Sequence, residues 1–452
     1  MTSMKWKRTF STAGIVLLGL FLAVSASAQG LFYFYREVTK DGRIYVFADG
    51  QRFDAWEKGG PMNPLSIGRP GYGPNGEVVI FDSEEAINLY NFKHNLPGEV
   101  FPPRPVPAPK PTYPTGRFSG LMFGDYYWYD AWHGDTISAS NSAKPDGQQG
   151  FWLRRAYFTY DLQFSEKFTT RVRLEMNSNG QFTNPSNITP FVKDAYLRWN
   201  FKGKQNLTLG IQPTLTFDWI EGWWGLRHIE KTPADLYRID SSRDFGLTLS
   251  GPLNVGAGAL SYGAQIANDS GNGSETDKYK TGRFEARWDK NPGLGASLNY
   301  NYGKRPSGQD RSTFDAFAGY RNKEFRAAAQ YLWQERKSGN ATPDQKIDIW
   351  SAFGIWEFKP KKYEVYFRFD KVKGTRGGVD TGLPGADGID YWILSTAQPF
   401  KTYMVGGEIF LHPSIRIGPN MQLAQYDNDP DPIKFPGKDK DRIFRITFFW
   451  TF

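Results

Sequence analysis

Arginine recurs in this sequence in short segments in which charged and apolar residues alternate. In the segment 171–177, Arg171 and Arg173 occupy alternate positions, with Val172 and Leu174 next to them. Successive side chains of a β-strand point to opposite faces, so this spacing places the ions on one face and the apolar groups on the other. Guanidinium groups collected on one face can bind anions through charge-assisted hydrogen bonds, which is the chemistry that the pattern indicates.

The same alternation gives an ionic face to several further segments, among them 194–199, 283–289 and 363–370. Ions on a strand that crosses a membrane are tolerated where they meet water, so these faces predict a water-filled interior. Acidic residues are nearly as frequent on them as arginines, which leaves open the simpler interpretation that the charges pair with one another along the wall. The cationic candidates on the ionic faces are Arg155, Arg171, Arg173, Arg198, Arg283, Arg287 and Arg368.

A second group of candidates lies in the long connection 215–242, whose length and aromatic content exceed what a surface turn needs. We expect this connection to fold inward and narrow the interior, where basic side chains could favour anions. Acidic residues in the same connection nearly balance the bases. We interpret His228 as a polar packing residue, because no second histidine or carboxylate stands at a metal-binding spacing. The candidates here are Arg227, His228, Lys231 and Arg238.

Other kinds of chemistry find little support in the composition. The four histidines are scattered along the chain and none stands beside a recognisable nucleophilic serine, so the sequence does not indicate an enzyme. Cysteine is absent, which excludes disulfides, thiolate metal sites and covalent haem, and we expect no metal or other cofactor. The formal charge of +8 is spread without a basic block, which argues against nucleic acid as a partner.

The elements that would position the candidate residues are many strands joined by connections of two lengths. Between residues 116 and 452, seven short turns alternate with eight long loops, which predicts about sixteen antiparallel strands. Transmembrane β-barrels sort their connections in this way, with tight turns at one end and long loops at the other. About sixteen strands enclose a lumen wide enough for water and small solutes. The predicted fold class is therefore all-β, a transmembrane antiparallel barrel.

The last strand supports a membrane barrel. From Phe444 to Phe452 every second residue is apolar and mostly aromatic, whereas Arg445 and Thr447 share the other face. One face suits lipid and the other water, although a half-buried terminal strand of a soluble sandwich would show a similar pattern. We expect the terminal Phe452 to matter for barrel assembly, with an outer-membrane assembly machinery as a partner.

Residues 1–28 have the features of a secretory signal peptide. Basic residues precede an apolar core, and Ala26 and Ala28 place the cleavage site before Gln29. The apolar core is too short for a membrane-spanning helix. An exported chain that continues into a β-barrel is expected in the outer membrane of a Gram-negative-type bacterium.

Three parts are expected after the signal peptide. Residues 29–100 predict a small α+β module, residues 101–115 form a proline-rich linker that favours an extended conformation, and residues 116–452 form the barrel. With an even number of strands, the module would lie in the periplasm. A spacer, a plug for the lumen and a contact site for the cell wall are all compatible with its sequence.

Within the module, local signals predict a few elements. Two alternating runs flank residues 39–42, which indicates a hairpin, and residues 77–81 indicate another strand. Asp82 and Ser83 then provide the cap of a short helix. The glycine- and proline-rich span 59–76 is expected to remain loose.

Segments of the barrel region resemble the phosphate-selective porin O and P family. They are GFWLRRAY at 150–157, KDAYLRW at 193–199 and LGIQP at 209–213, whose order and spacing also match, with RDFGL at 243–247 and NMQL at 420–423 in addition. The resemblance covers most of residues 116–452. It implies a sixteen-stranded, usually trimeric, diffusion channel in the outer membrane.

The sequence therefore predicts a porin, a water-filled channel for passive diffusion of small hydrophilic solutes and ions, with at most a mild preference for anions such as phosphate. Its expected partners are membrane lipid, the solutes themselves and further copies of the chain in a homotrimer. A non-conducting barrel that anchors or displays the amino-terminal module is the alternative. The ionic inner faces favour the channel.

Overall fold

The computed structural model of the protein describes residues 34–97, 112–133, 146–177, 188–215, 217–253, 259–290, 292–339, 343–383, 395, 398–433 and 435–452. The chain divides into two compact units on either side of Lys110, and each is described by itself. The predicted signal peptide and most of the proline-rich linker lie outside the described residues.

The first unit is a four-stranded sheet with two helices. Its elements are β1 (Arg36–Lys40), β2 (Arg43–Phe47), α1 (Gly50–Glu57), β3 (Ile67–Arg69), β4 (Val78–Phe81) and α2 (Glu84–His94). The strand order is β1-β2-β4-β3, with β2 and β4 parallel. Val46 packs into the core beside α2, whereas Phe47 contacts Phe53 and Trp56 of α1. Since Val46 and Phe47 are consecutive in β2, the two helices cover opposite faces of the sheet.

Most of the predicted elements of this module are present. The hairpin forms as β1 and β2, and the Oγ of Ser83 accepts a hydrogen bond from the amide of Ala86 at the start of α2. Two features differ from the prediction. The span expected to be loose contains β3, which pairs with β4, and α1 was not predicted, because it opens on Gly50 and has no buried residue to mark an apolar stripe.

The second unit is a closed antiparallel barrel of sixteen strands, with one further short strand, β18 (Val379–Thr381), beside β17 (Tyr363–Arg376). Consecutive strands pair, and the last pairs with the first to close the barrel. The sixteen strands are β5 (Thr115–Asp130), β6 (Gln149–Gln163), β7 (Phe168–Asn177), β8 (Thr189–Lys202), β9 (Gln205–Pro213), β10 (Arg243–Leu253), β11 (Ala259–Ala267), β12 (Thr281–Asp289), β13 (Gly293–Gly303), β14 (Arg311–Arg321), β15 (Phe325–Arg336), β16 (Gln345–Phe358), β17 (Tyr363–Arg376), β19 (Phe400–His412), β20 (Ile415–Tyr426) and β21 (Lys440–Thr451).

The helices of the barrel unit are short. The connection between β9 and β10 contains α3 (Phe217–Trp224) and α4 (Pro233–Leu236), α5 (Lys359–Lys362) lies between β16 and β17, and a 3-10 turn spans Pro306–Gly308. None of the helices in the described parts of the chain is long and apolar enough to cross a membrane.

The predicted sorting of the connections is confirmed. Short turns, such as 203–204 and 290–292, alternate with long connections, such as 214–242 and 427–439, along all sixteen strands. The long connections therefore gather at one end of the barrel, the long-loop end, and the tight turns at the other, the short-turn end. This geometry places residues near a strand's start or finish at a known end of the barrel.

The predicted faces of the strands are present as well. Phe284 and Leu197 are 59% and 45% exposed on the outer face, whereas Arg283 and Asp194 are fully buried on the inner face. At the closing seam, Phe452 exchanges backbone hydrogen bonds with Gly120 of β5, and its ring covers this glycine. The outer surface of the barrel is thus apolar and its inner surface ionic, as the alternation indicates.

Candidate functional site

We call the long connection between β9 and β10, residues 214–242, the inserted loop. It packs against inner-face residues of many strands. At its base the amide of Thr214 donates to the carbonyl of Ser242 at 3.3 Å, so the two strand ends stay paired. Further along the loop, the ring of Trp224 lies 5.1 Å from Phe353 of β16 and 6.2 Å from Tyr366 of β17. The prediction that this connection folds inward is confirmed by these contacts.

Two glycines form the socket for Trp223 of α3. The indole ring stands over Gly295 of β13 and Gly319 of β14, where an added Cβ would collide with it. The guanidinium of Arg321 lies 4.2 Å from the ring centroid, which is within range of a cation–π interaction. Helix α3 is therefore attached to the wall by a ring that needs both positions to lack a side chain.

Substitution of Gly295 by leucine is expected to displace Trp223 and detach α3 from the wall. Overpacking of this kind costs about 1–3 kcal/mol, and here the loop can escape the strain by moving away. A red shift of tryptophan fluorescence and faster proteolysis within residues 217–240 are the measurements. Gly354→Leu is the control, because the nearest atom to an added Cβ there is 3.9 Å away on the outer face. Equal effects of both variants would contradict the socket.

Three buried arginines donate hydrogen bonds to backbone carbonyls of the loop at residues 228–231. Arg154 of β6 donates to the carbonyl of Ile229 at 3.1 Å and also to that of His228. Arg445 of β21 donates to the same Ile229 carbonyl at 3.3 Å, and Arg368 of β17 donates to the carbonyl of Lys231 at 2.5 Å.

Each of these arginines also meets a buried carboxylate on the barrel wall. Asp125 of β5 is fully buried and lies 2.6 Å from Nε of Arg154 and 3.9 Å from Nε of Arg445, and it accepts a 2.6 Å hydrogen bond from Thr447. Asp370 of β17 accepts two hydrogen bonds from Arg368, at 2.9 and 2.6 Å. The charges are thus compensated on the wall, and the arginine donors that remain hold the loop.

The second half of the loop is fastened by its own side chains. The hydroxyl of Tyr237 donates to Asp370 at 2.7 Å. Asp240 accepts from Arg283 of β12 and from Asn301 of β13, at distances of 2.8 to 3.0 Å. The loop therefore spans from β12 and β13 on one side to β17 and β21 on the other.

Some of the predicted candidates form ion pairs or hydrogen bonds within the inner wall of the barrel, and some border a cavity. Arg155 pairs with Glu175, Arg171 makes two hydrogen bonds to Asp161, and Arg283 pairs with Asp240 and Asp244. His228 forms a 2.7 Å hydrogen bond with Glu408 and stacks on Phe449. The candidates that border cavities are Arg173, Arg198, Arg227, His228, Lys231, Arg238 and Arg287.

Two β-bulges add inward cations that a strict alternation does not predict. The register of β5 and β6 shifts so that Arg154 and Arg155 are both buried, and that of β7 and β8 shifts so that Lys193 and Asp194 are both buried. Lys193 lies 2.8 Å from Glu175 and 3.3 Å from the hydroxyl of Ser242. A bulge places an extra residue opposite a single partner, so two successive side chains can point inward.

A cavity of about 330 Å³ borders the loop toward the long-loop end, and we call it the long-loop cavity. Its position follows from Gly303 and Arg311, which lie at the long-loop ends of β13 and β14. Its wall is mostly polar, with hydroxyls, carboxylates and guanidinium groups. The polar residues that line it include Lys231, Asp235, Arg238, Asp240, Ser242, Asp269, Thr281, Asn301, Arg305, Arg311 and Thr313.

A second cavity, of about 390 Å³, borders the loop toward the short-turn end, and we call it the short-turn cavity. It reaches Ser119 and Gly120 near the start of β5. The charged residues that line it are Arg173, Lys193, Glu221, Arg227, Asp235 and Arg243. Asp235 and Ser242 line both cavities, so the two spaces approach each other at these residues of the inserted loop.

Asp235 is held as an anion at this meeting point. Burial raises the pKa of its carboxyl, but the ammonium of Lys231 and the guanidinium of Arg227 outweigh burial and lower the pKa to about 2. The two cations lie 3.3 and 3.6 Å from its oxygens. The point where the two cavities approach each other therefore presents a carboxylate that two cations already compensate.

The barrel has the fold of solved outer-membrane porins. An anion-selective porin from Comamonas acidovorans is 14% identical, with 75% of this chain and 100% of that chain covered and a TM-score of 0.53. OmpF of Salmonella typhi in complex with daunomycin is 13% identical, with 75% and 97% covered and a TM-score of 0.52. OmpT of Vibrio cholerae is 12% identical, with 76% and 99% covered and a TM-score of 0.50.

These likenesses concern the fold alone, because the identities are low. No protein-family model matches the chain. No curated protein matches it either. The chemistry of the inner wall must therefore be argued from the residues themselves.

Proposed function

We propose that the protein is an outer-membrane porin, a water-filled channel through which small hydrophilic solutes and ions diffuse passively past the inserted loop. The observation that carries the proposal is the pair of cavities on either side of this loop, which both contain charged residues and share Asp235 and Ser242. One reaches toward the long-loop end and the other toward the short-turn end. A solute path that narrows at the loop is the simplest use of this arrangement.

The surfaces of the barrel support a membrane setting for this path. Apolar and aromatic side chains cover the outside, as lipid requires, while ions and amides cover the inside. We infer that the long loops face the exterior and the tight turns the periplasm, as in other barrels of this kind. The amino-terminal module would then lie in the periplasm. We also expect the protein to assemble as a homotrimer. Phe452 is expected to contribute to recognition by the assembly machinery.

The charges around the short-turn cavity support a mild preference for anions. Four cations line it, Arg173, Lys193, Arg227 and Arg243, against the two carboxylates of Glu221 and Asp235. Several of the cations are paired, Arg243 with Asp194 and Asp218 for example, which weakens their effect on a passing ion. We expect the potential in the path to be positive but modest, so phosphate would pass as one anion among others.

Single-channel recording of the purified mature protein in a planar bilayer tests the proposal. We expect discrete open levels, and a reversal potential under a potassium chloride gradient that shows chloride passing more readily than potassium. Phosphate added as a competitor should reduce the chloride current only at concentrations comparable to chloride. Block by phosphate far below that concentration would show a selective site instead, and a cation-selective reversal potential would contradict the anion preference.

A non-conducting anchor is the second candidate, and the dense packing of the inserted loop favours it. Trp223, Trp224, Leu226 and Ile229 are all buried, so the loop fills much of its own surroundings. Well-folded protein that never opens in bilayers would favour this role. Conductance that appears only after deletion of residues 29–115 would instead identify the amino-terminal module as a plug.

A further inference from the structure

Arg311 and Arg336 face each other at the long-loop end without a carboxylate to separate them. They are directly opposite in the ladder between β14 and β15, and both belong to the inward-facing sets of their strands. Arg336 donates to the side chain of Gln334 and to the carbonyl of Arg238, at 2.5 and 3.2 Å. Among the described residues, neither guanidinium has a carboxylate within ion-pair distance.

Such a pair needs an explanation, because like charges directly opposite each other destabilise a sheet. Arg311 lines the long-loop cavity. Each of the three carboxylates of that cavity already pairs with another cation: Asp235 with Lys231, Asp240 with Arg283, and Asp269 with Arg305 at 2.5 Å. Arg336 lies behind Arg311, hydrogen-bonded to Gln334 and Arg238, which also line the cavity. The two guanidinium groups therefore leave a positive excess at the edge of the cavity, and such groups are well shaped to hold a carboxylate or phosphate.

Three buried polar atoms in the same wall also lack partners among the described residues. Oγ1 of Thr281, Oδ1 of Asn301 and Nε of Arg305 are buried and have no hydrogen-bond partner among the residues that the structure describes. All three side chains line the long-loop cavity. Buried polar groups are normally satisfied, and an amide oxygen can be satisfied only by a donor such as a hydroxyl group.

We propose that the long-loop cavity binds a small hydroxylated anion, a sugar acid or a sugar phosphate, before it passes the inserted loop. The anionic head would lie at Arg311 and Arg336, and the hydroxyl groups would meet Thr281 and Asn301. The volume of about 330 Å³ lies at the lower end of the range for small-molecule sites, which suits one monosaccharide unit. This inference rests on the proposed channel and names a class of solute for it.

Isothermal titration calorimetry of the purified full-length protein in detergent at low salt tests the inference. Gluconate and glucose 6-phosphate are the two anionic probes, and whichever binds more tightly identifies the preferred head group. Glucose has the hydroxyl groups without the anionic group, and inorganic phosphate has the anionic group without the sugar hydroxyls. Each should therefore bind at least about tenfold more weakly than the sugar anions, or not at all. Phosphate that binds as tightly as both sugar anions would overturn the role of the hydroxyl groups, and no binding of either sugar anion would overturn the site.

Paired variants locate the site. Arg311→Gln with Arg336→Gln removes the facing cations and is expected to weaken gluconate binding at least about tenfold. Lys371→Gln with Lys401→Gln is the matched control, because these two lysines are also directly opposite, near the same end, but on the outward faces of β17 and β19. Equal weakening by both double variants would show a diffuse charge effect and overturn the site.

Two further measurements keep the outcomes separate. Circular dichroism and thermal unfolding verify that the double variants fold, and the relief of repulsion at Arg311 predicts no loss of stability there. Conductance is recorded without sugar anions. A protein that conducts but binds neither sugar anion overturns this inference alone, whereas one that binds them but never conducts overturns the channel.

Discussion

Replacement of residues 215–241 by Asn-Gly is expected to raise the single-channel conductance several-fold. The inserted loop lies across the lumen, from Asp240 at β12 to His228 beside β19 and β21, so its removal widens the path along its whole length. The strand ends already pair between Thr214 and Ser242, and Asn-Gly is the preferred two-residue hairpin turn. The wall should survive, because Arg154 keeps Asp125 and Arg368 keeps Asp370.

The matched control shortens the exposed tip of another long connection at the same end. Replacement of residues 273–278, which are exposed in the connection between β11 and β12, by Ser-Gly should leave the conductance unchanged. A loop excision that folds with unaltered conductance would show that the loop does not limit the flow, and the proposed narrowing at Asp235 would then be wrong.

Substitution of Asp125 by alanine is expected to cause the largest loss of stability in the barrel, about 3–5 kcal/mol in the free energy of unfolding. The carboxylate is fully buried and serves Arg154, Thr447 and, at longer range, Arg445. Its loss takes the carboxylate at 2.6 Å away from the buried guanidinium of Arg154, while Arg445 keeps Glu230 at 3.5 Å. Reversible denaturant unfolding in detergent or lipid vesicles is the measurement.

Asp161→Ala provides the comparison, because it breaks an ion pair of good geometry that is partly exposed. Arg171 and Asp161 are 27% and 39% exposed, and pairs of this kind contribute about 1 kcal/mol or less. A double variant, Asp125→Leu with Arg154→Met, removes the closest buried pair together and leaves Arg445 with Glu230 at 3.5 Å, so it should recover much of the lost stability. Equal losses in Asp125→Ala and Asp161→Ala would contradict the burial argument.

The architecture of the barrel was predictable because its signals are local. A period of two in the hydrophobic pattern assigns each residue of a strand to a face, and turn residues mark where the chain reverses. Residues 171–176 and 363–370 show this, since their predicted outer and inner faces are those of the structure. The inward path of the connection 214–242 was predictable from its length and its tryptophans.

The contacts that hold the loop were not predictable, because they join positions far apart in sequence. Arg154 meets Ile229 across 75 positions and Thr447 meets Asp125 across 322. The sequence around Asp125 and Glu230 does not indicate that they pair with buried arginines. The alternation likewise does not indicate that Arg368 donates to a loop carbonyl. The pairing partner of an inward charge depends on which strands the loop crosses, and this is settled only in the closed barrel.

The bulges are an intermediate case. Arg154 and Lys193 point inward beside Arg155 and Asp194, which a strict period of two forbids. Two consecutive charged residues within an otherwise alternating strand were visible in the sequence. In a strand that crosses a membrane such a doublet is costly unless a bulge turns both side chains away from lipid, so it could have indicated the bulge.

The hydrogen bonds from Arg154 and Arg445 to the carbonyl of Ile229 imply an order in which contacts form during folding. Arg154 belongs to β6 and Arg445 to β21, and the seam between β5 and β21 joins the two ends of the barrel sequence. Contacts of such long sequence separation form late, because the entropy of closing the ring must first be overcome. The segment at Ile229 can acquire both donors only after the ring is complete. The hydrogen bonds from both arginines to Ile229 would therefore be among the last contacts to form in refolding, after the barrel has closed.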